Sequence, residues 1–585
     1  MTISEPEPVI TGKLYYTEES LKYEPDLAKF ESEFAPKISQ YRKELASKMP
    51  KDTILKPGQI DGELTIPEDF DAVAFKDAAL VAAKSGILSK KQLQIVNLSG
   101  VEIVNRIAKG ELTAVETISA FIKQASIAHQ ITNCAMQFFP EEALERAREL
   151  DEYFSETGKT VGPMHGLPLS LKEHYAYKGK TTNAGFSSMI DNLTEEDALT
   201  TEIFRKAGAV FYIRTTQPQS LMHLDSFNNI TGRCRNPLNT LLSPGGSTSG
   251  EGALISLRGS PLGTGSDIGG SIRAPAAFCN IWGFKPTNKR VSLQGAWASY
   301  RDMSNDMVLC SVGPMANTPE DLELYMKTFL DSEPWLRDNY VIRLPWREVD
   351  LSLDKLKIAI VMDDGIVKPS PPVLRALELA KESLEKAGVA KCVEWVPFNT
   401  SEGLDICYTA YNCDGNFNHR SRYEESGEPL APLSEHHMRF GCGDRGLDSL
   451  EMLQYLHKRD SYRQRFADMM NEIDVDYVLT PAYFAPAAIP DKIKYWGYTA
   501  LYNILDLPGV SFPTGVVTDA KLDAKDANHV PRNALEEYEY PLYEEELYDG
   551  FPVGLSLHGR RYYDEETVKA TKLIQKVIFE AAKGV

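Results

Sequence analysis

An α/β fold with a covered sheet is predicted for this chain of 585 residues by three observations. Short apolar runs of strand length recur along the sequence. Segments with apolar residues at helical spacing lie between them. The runs are apolar nearly throughout, as befits strands buried on both faces.

The first ninety residues read as polar and helical, broken by Pro50, Pro57 and Pro67, with Ala78–Ala83 the most apolar part. Thr113-Ala-Val-Glu116 has the form of a capping box, and Val115, Ile118, Phe121 and Ile122 then follow at helical spacing. Leu144, Ala147, Leu150 and Phe154 repeat that spacing one helix later. Leu167–Leu171 reads as a buried strand, Ala198–Lys206 as a helix and Ala209–Ile213 as a second strand. The apolar run Ala276–Phe284 has the size of a core strand. Farther on, Lys357–Met362 predicts a strand, Pro372–Ala387 a helix, and Asp476–Thr480 another strand. Leu535–Asp549, acidic and rich in tyrosine, reads as a solvated surface excursion. Phe551–Leu557 predicts a strand and Asp564–Ala582 a closing amphipathic helix.

Composition excludes several classes. With 43% apolar and 25% charged residues the chain has the profile of a globular protein. A net charge of −20 disfavours nucleic acid, which needs a basic surface. No run is long and apolar enough to span a bilayer, and the first residues lack the basic head and apolar stretch of a secretory leader. Eight cysteines without a C-x-x-C spacing point to reduced thiols and a cytoplasmic setting. The ten histidines form no H-E-x-x-H cluster, so no metal is expected.

The chemistry concentrates in one small-residue stretch. It reads Ser243-Pro-Gly-Gly-Ser247-Thr248-Ser249-Gly250-Glu251-Gly252, then Gly263-Thr-Gly-Ser-Asp267-Ile268-Gly269-Gly270-Ser271-Ile272-Arg273-Ala-Pro275. Paired glycines before Ser271 let the backbone turn sharply, and the N–H groups of Ile268, Gly269, Gly270 and Ser271 could hold a negative oxygen. The plainer reading of Gly-Gly-Ser is a turn that packs helix on sheet. A phosphate cradle fits poorly: the Gly-Lys-Ser/Thr ending of a P-loop is missing, and Ile268 stands where G-x-G-x-x-G needs its last glycine.

Lys172 closes the apolar run Leu167–Leu171. Desolvation there would lower its pKa and make it a general base; alternatively it snorkels to water, paired with Glu173. His174 could be the base instead, or a hydrogen-bonded structural residue. Ser247 could relay a proton between Ser271 and the lysine, or could belong to a loop that binds its own backbone.

Together these segments resemble the amidase signature family. The likeness runs through Gly-Gly-Ser247-Thr-Ser-Gly, Gly-Ser-Asp-Ile-Gly-Gly-Ser271-Ile-Arg-Ala-Pro-Ala-Ala-Phe-Cys and Trp282-Gly-Phe-Lys-Pro-Thr287. It extends to Gly166-Leu-Pro-Leu-Ser-Leu-Lys172, Gly313-Pro-Met-Ala316, Leu479-Thr-Pro481 and Pro552-Val-Gly-Leu-Ser-Leu-His-Gly-Arg560, covering about 95 to 580. Asn317 stands where arginine is common in the family, and Thr248 where serine is.

The resemblance implies a large central mixed sheet with helices on both faces and a catalytic domain (96–585); the sequence pattern adds a helical N-terminal extension (1–95) and makes 330–470, with its own strand and helix, a substrate-facing insertion or lobe. It implies a Ser–cis-Ser–Lys triad: Ser271 the nucleophile, Ser247 the bridge on a cis peptide after Gly246, Lys172 the base. Ile268, Gly269, Gly270 and Ser271 would form the oxyanion hole. The substrate would be a small-molecule amide, with no cofactor, and a homodimer is left open. Glu251-Gly-Ala253 and Pro218-Gln-Ser-Leu-Met222 look like the fungal acetamidase and fatty-acid-amide-hydrolase branch, so acetamidase-like or broad specificity is expected. Fatty-acid amide hydrolysis is the enzymatic alternative, and a catalytically inactive amidase-like receptor the alternative of another class. The acyl pocket is expected from 330–500 and Leu221-Met222.

Overall fold

The computed structural model describes residues 21–56, 78–299, 304–351 and 356–584. A mixed sheet of eleven strands runs through it. In chain order come β1 (Ala135–Phe138), β2 (Pro168–Lys172) and β3 (Val210–Thr215), then a small ribbon of β4 (Phe227–Asn228) and β5 (Gly232–Arg233). Next are β6 (Leu262–Asp267), β7 (Trp282–Lys285), β8 (Ser311–Ala316), β9 (Leu356–Ile360) and β10 (Ala390–Glu394). β11 (Tyr477–Pro481), β12 (Gly509–Val517) and β13 (Pro552–Gly559) complete the set. Across the large sheet the order is β1-β3-β2-β6-β8-β7-β12-β13-β11-β9-β10. β2 is parallel to β3 and β6, and β9 to β10 and β11, while the other pairs are antiparallel.

Because successive strand residues point to opposite faces, the sheet feeds two cores. Ile358, Ile360, Tyr477 and Leu479 pack with Ile574 and Ile578 of the Asp564–Lys583 helix on one face. Their neighbours Ala359 and Val478 meet Leu404, Tyr408 and Leu501, from the helices Thr400–Tyr411 and Gly497–Ile504, on the other. Helices therefore cover both faces, as the sequence implied. β9 and β10, inside 330–470, extend this same sheet.

Most predicted elements appear within a residue or two of their expected ends: Pro140–Thr157, Leu199–Lys206, Pro371–Lys386 and Asp564–Lys583 are helices. The N-terminal region is helical where described, with Ala35–Lys48 ending at Met49, whose extended backbone (ψ 134°) is what a residue before proline adopts. Pro57, Pro67 and the first twenty residues lie outside the described residues.

Three expectations are corrected. The run Ala276–Phe284 is not one strand: its first residues finish the helix Arg273–Phe278 and only Trp282 onward joins the sheet as β7. Thr113 caps its helix by accepting the Glu116 N–H at 3.1 Å, but the Glu116 carboxylate pairs with Lys91 instead of closing a capping box. The Leu535–Asp549 segment is not a solvated excursion. Leu535, Tyr543 and Tyr548 pack in the core, and buried Glu539 accepts the N–H groups of Lys494 and Tyr495, each at 2.7 Å.

Candidate active site

Two adjacent parallel strands bring the site together. β2 ends on Lys172 and β6 on Asp267, with Leu171 opposite Thr264. Ligands of open α/β sheets bind beyond the carboxyl ends of such strands. Ser247 arrives separately, on the turn before the helix Ser249–Ser256, which packs on β2, β3 and β6.

Lys172 is fully buried and does not snorkel. Its Nζ lies 2.7 Å from Ser247 Oγ, 3.0 Å from Ser266 Oγ and 3.2 Å from Thr248 Oγ1. Burial lowers its pKa to about 7, so near neutrality a large fraction is the free amine. Glu173 turns away from it and accepts the N–H groups of Asn183 at 2.7 Å and Ala184 at 3.1 Å. His174 is buried, with Nδ1 3.0 Å from the Trp297 carbonyl oxygen and Nε2 3.1 Å from Ser266 Oγ.

The Gly246–Ser247 peptide is cis. A Cβ on Gly246 would lie 2.0 Å from the Asp225 carbonyl oxygen, so only glycine fits. Ser247 and Ser271 face one cavity, and the Thr248 N–H donates to the Ser271 carbonyl at 3.1 Å, tying the two segments together.

The loop from Asp267 to Ser271 is held from several sides. Asp267 forms a fully buried ion pair with Arg273 at 2.9 Å and accepts the Gly270 N–H at 2.8 Å, the Ile272 N–H at 3.1 Å and the Asn503 side-chain amide at 2.9 Å. Tyr411 donates to the Ile268 carbonyl at 2.8 Å and Thr499 to the Gly269 carbonyl at 2.6 Å, which turns the peptide planes. Gly270 has φ +126°, and a Cβ there would sit 2.3 Å from Thr499 Oγ1. Of the four N–H groups expected to face an oxyanion, that of Gly270 donates to Asp267. Among the described residues, the N–H groups of Ile268, Gly269 and Ser271 have no partner.

The cavity encloses about 390 Å³. Leu221, Met222, Tyr340, Tyr411 and His419 line it, and a larger share comes from residues within 293–299 and 304–310, which sequence reasoning did not name. Ser266, Thr499 and Tyr411 were also missed. Ser266 stood in the Gly263–Asp267 motif without a role, and the other two lie too far along the chain for spacing to reveal them.

Ser247, Ser271 and Ile268 line one largely apolar cavity, with the buried Lys172 behind Ser247, an arrangement of the kind that acyl-transfer chemistry uses. A family model described as Amidase matches residues 116–568, and the chain belongs to this amidase signature family. An acetamidase of Aspergillus oryzae is 36% identical over 532 residues, covering 88% of this chain and 96% of the relative. An acetamidase of Emericella nidulans is 36% identical over 535 residues, with the same coverage. A solved structure titled fatty acid amide hydrolase superposes with a TM-score of 0.91 at 40% identity, covering 96% of this chain and 98% of that one. The chain is accordingly an amidase, and nothing supports the inactive-receptor alternative. No helix among the described residues is long and apolar enough to cross a membrane.

Proposed function

We propose that this amidase works through Ser271, Ser247 and Lys172 by an acyl-enzyme route. Ser271 Oγ attacks the amide carbonyl while its proton passes to Ser247 Oγ and the Ser247 proton passes to the Lys172 amine. The developing oxyanion lies in the Ile268–Ser271 loop, held by the N–H groups of Ile268, Gly269 and Ser271, with Gly270 fixing the turn. The proton returns through Ser247 to the nitrogen of the leaving amine as the C–N bond breaks. Water then attacks the acyl-enzyme by the same relay, releasing the carboxylic acid and restoring Ser271. The observation that carries this reading is the 2.7 Å contact between buried Lys172 and Ser247.

The test is labelling with a fluorophosphonate followed by peptide mapping. Ser271 is expected to carry the phosphonate, and the Ser271→Ala protein to fold, stay unlabelled and lose turnover. A label on Ser247 or elsewhere would refute the assignment.

Broad acyl specificity belongs to the same proposal. The apolar cavity of about 390 Å³ falls within the range of drug-sized ligand pockets, far beyond what an acetyl group fills, and so favours longer acyl amides as the second reading. Comparing kcat/KM on acetamide and on long-chain primary amides separates the two. Residues Asp338, Tyr340, Tyr411 and His419 on the cavity wall support a substrate-facing role for 330–470. The family match starts at residue 116, which supports an N-terminal extension ahead of the catalytic domain. Eight free cysteines, five of them buried, support a cytoplasmic setting.

A further inference from the structure

The neighbours of Lys172 decide where its lone pair points. A neutral lysine amine carries two N–H bonds and one lone pair, and here it has three hydroxyl neighbours. The Thr248 hydroxyl donates to the Ser266 carbonyl at 3.2 Å, so it offers the amine only a lone pair. The Trp297 carbonyl can only accept, so the proton of the His174 ring sits on Nδ1, 3.0 Å away. Burial and the nearby Lys172 hold the pKa of His174 well below 6.5, which leaves Nε2 bare. Nε2 therefore accepts the Ser266 hydroxyl proton at 3.1 Å, and Ser266 too offers the amine only a lone pair. Both N–H bonds of Lys172 are taken, by Thr248 and Ser266, and its lone pair is left for the Ser247 hydroxyl.

We infer that His174, acting through Ser266, is a positioning residue that aims the Lys172 lone pair at Ser247. The inference rests on the proposed role of Lys172 as base. It also explains how one arrangement serves both protonation states. Once Ser247 has given up its proton, the ammonium has three N–H bonds for the same three oxygens, and no neighbour has to turn.

Without the imidazole acceptor, the Ser266 hydroxyl would turn and donate to Nζ, competing with Ser247 for the lone pair. A double-mutant cycle tests this, with rates normalised to the fraction of Ser271 titrated by fluorophosphonate and measured on acetamide at pH 8. His174→Phe is expected to lower kcat about 30-fold with KM within about twofold, and Ser266→Ala alone to lower it about fivefold. The double variant should return to the Ser266→Ala level, because removing the hydroxyl removes the competitor. His174→Gln, whose amide oxygen can accept from Ser266, should stay within about threefold of the parent. If His174→Phe is insoluble, His174→Leu makes the same deletion with less bulk. Losses that multiply in the double variant would overturn the inference. Lys172→Ala, run alongside, separates the two failures. Near-normal turnover there sinks the base assignment itself, whereas an inactive Lys172→Ala with a multiplicative cycle sinks only the role of His174.

Discussion

At the scale of single residues, the chemistry depends on one amine kept dry. Lys172 is the final residue of β2, walled by Ser247, Thr248 and Ser266, and burial brings its pKa from 10.5 to about 7. The direction of the pH dependence follows. The base is the deprotonated amine, so activity is present above pH 7 and lost as pH falls through it. We expect kcat/KM on a neutral amide to fall about tenfold per pH unit on the acid side, with an apparent pKa near 7. A flat profile between pH 5 and 8 would exclude this lysine as the base. Lys172→Ala should reduce kcat by about three orders of magnitude while leaving a folded protein, as loss of a member of a catalytic unit commonly does. Circular dichroism and steady-state rates check both parts.

At the scale of elements, the oxyanion loop is only as good as the carboxylate beneath it. Asp267 ends β6, pairs with Arg273 in full burial and accepts backbone N–H groups from Gly270 and Ile272. Asp267→Asn leaves the Arg273 charge uncompensated and should cost about 3–5 kcal/mol, read as a lower urea midpoint. Gly270→Ala should lower kcat steeply, because its Cβ would press on Thr499 at 2.3 Å and force the loop from φ +126°. Much of this region was legible in the sequence. Paired glycines before Ser271 and an apolar run ending in Lys172 are local signals, and both were read with the chemistry in view. What locality hides is the partner from afar: Tyr411, Thr499 and Asn503 reach the loop only after the sheet and the Gly497–Ile504 helix are assembled. Segment 535–549 misled for the opposite reason. Its acidic composition suggested solvent, yet Glu536 accepts the Lys368 N–H at 2.8 Å and Glu539 those of Lys494 and Tyr495, so these carboxylates substitute for missing backbone partners. Asn317, placed where the family favours arginine, donates to the Ile255 carbonyl at 3.0 Å, near the end of the Ser249–Ser256 helix.

At the scale of the molecule, specificity is a question of volume. The cavity of about 390 Å³ is lined by Leu221, Met222 and Trp297 on its apolar side. Met222→Trp should cut kcat/KM for long acyl amides by about tenfold or more while sparing acetamide, which needs little of that space. Equal losses on both substrates would mean that Met222 supports the loop rather than the acyl chain. The sheet behind the cavity sets a different kind of limit. Because odd and even positions of β9 and β11 serve separate cores, each strand behaves like the teeth of a zip engaged on two sides at once. Exchanging one tooth for another of similar bulk disturbs a single fit. Deleting one tooth puts every later one on the wrong side, so evolution can vary size along these strands far more freely than it can vary count.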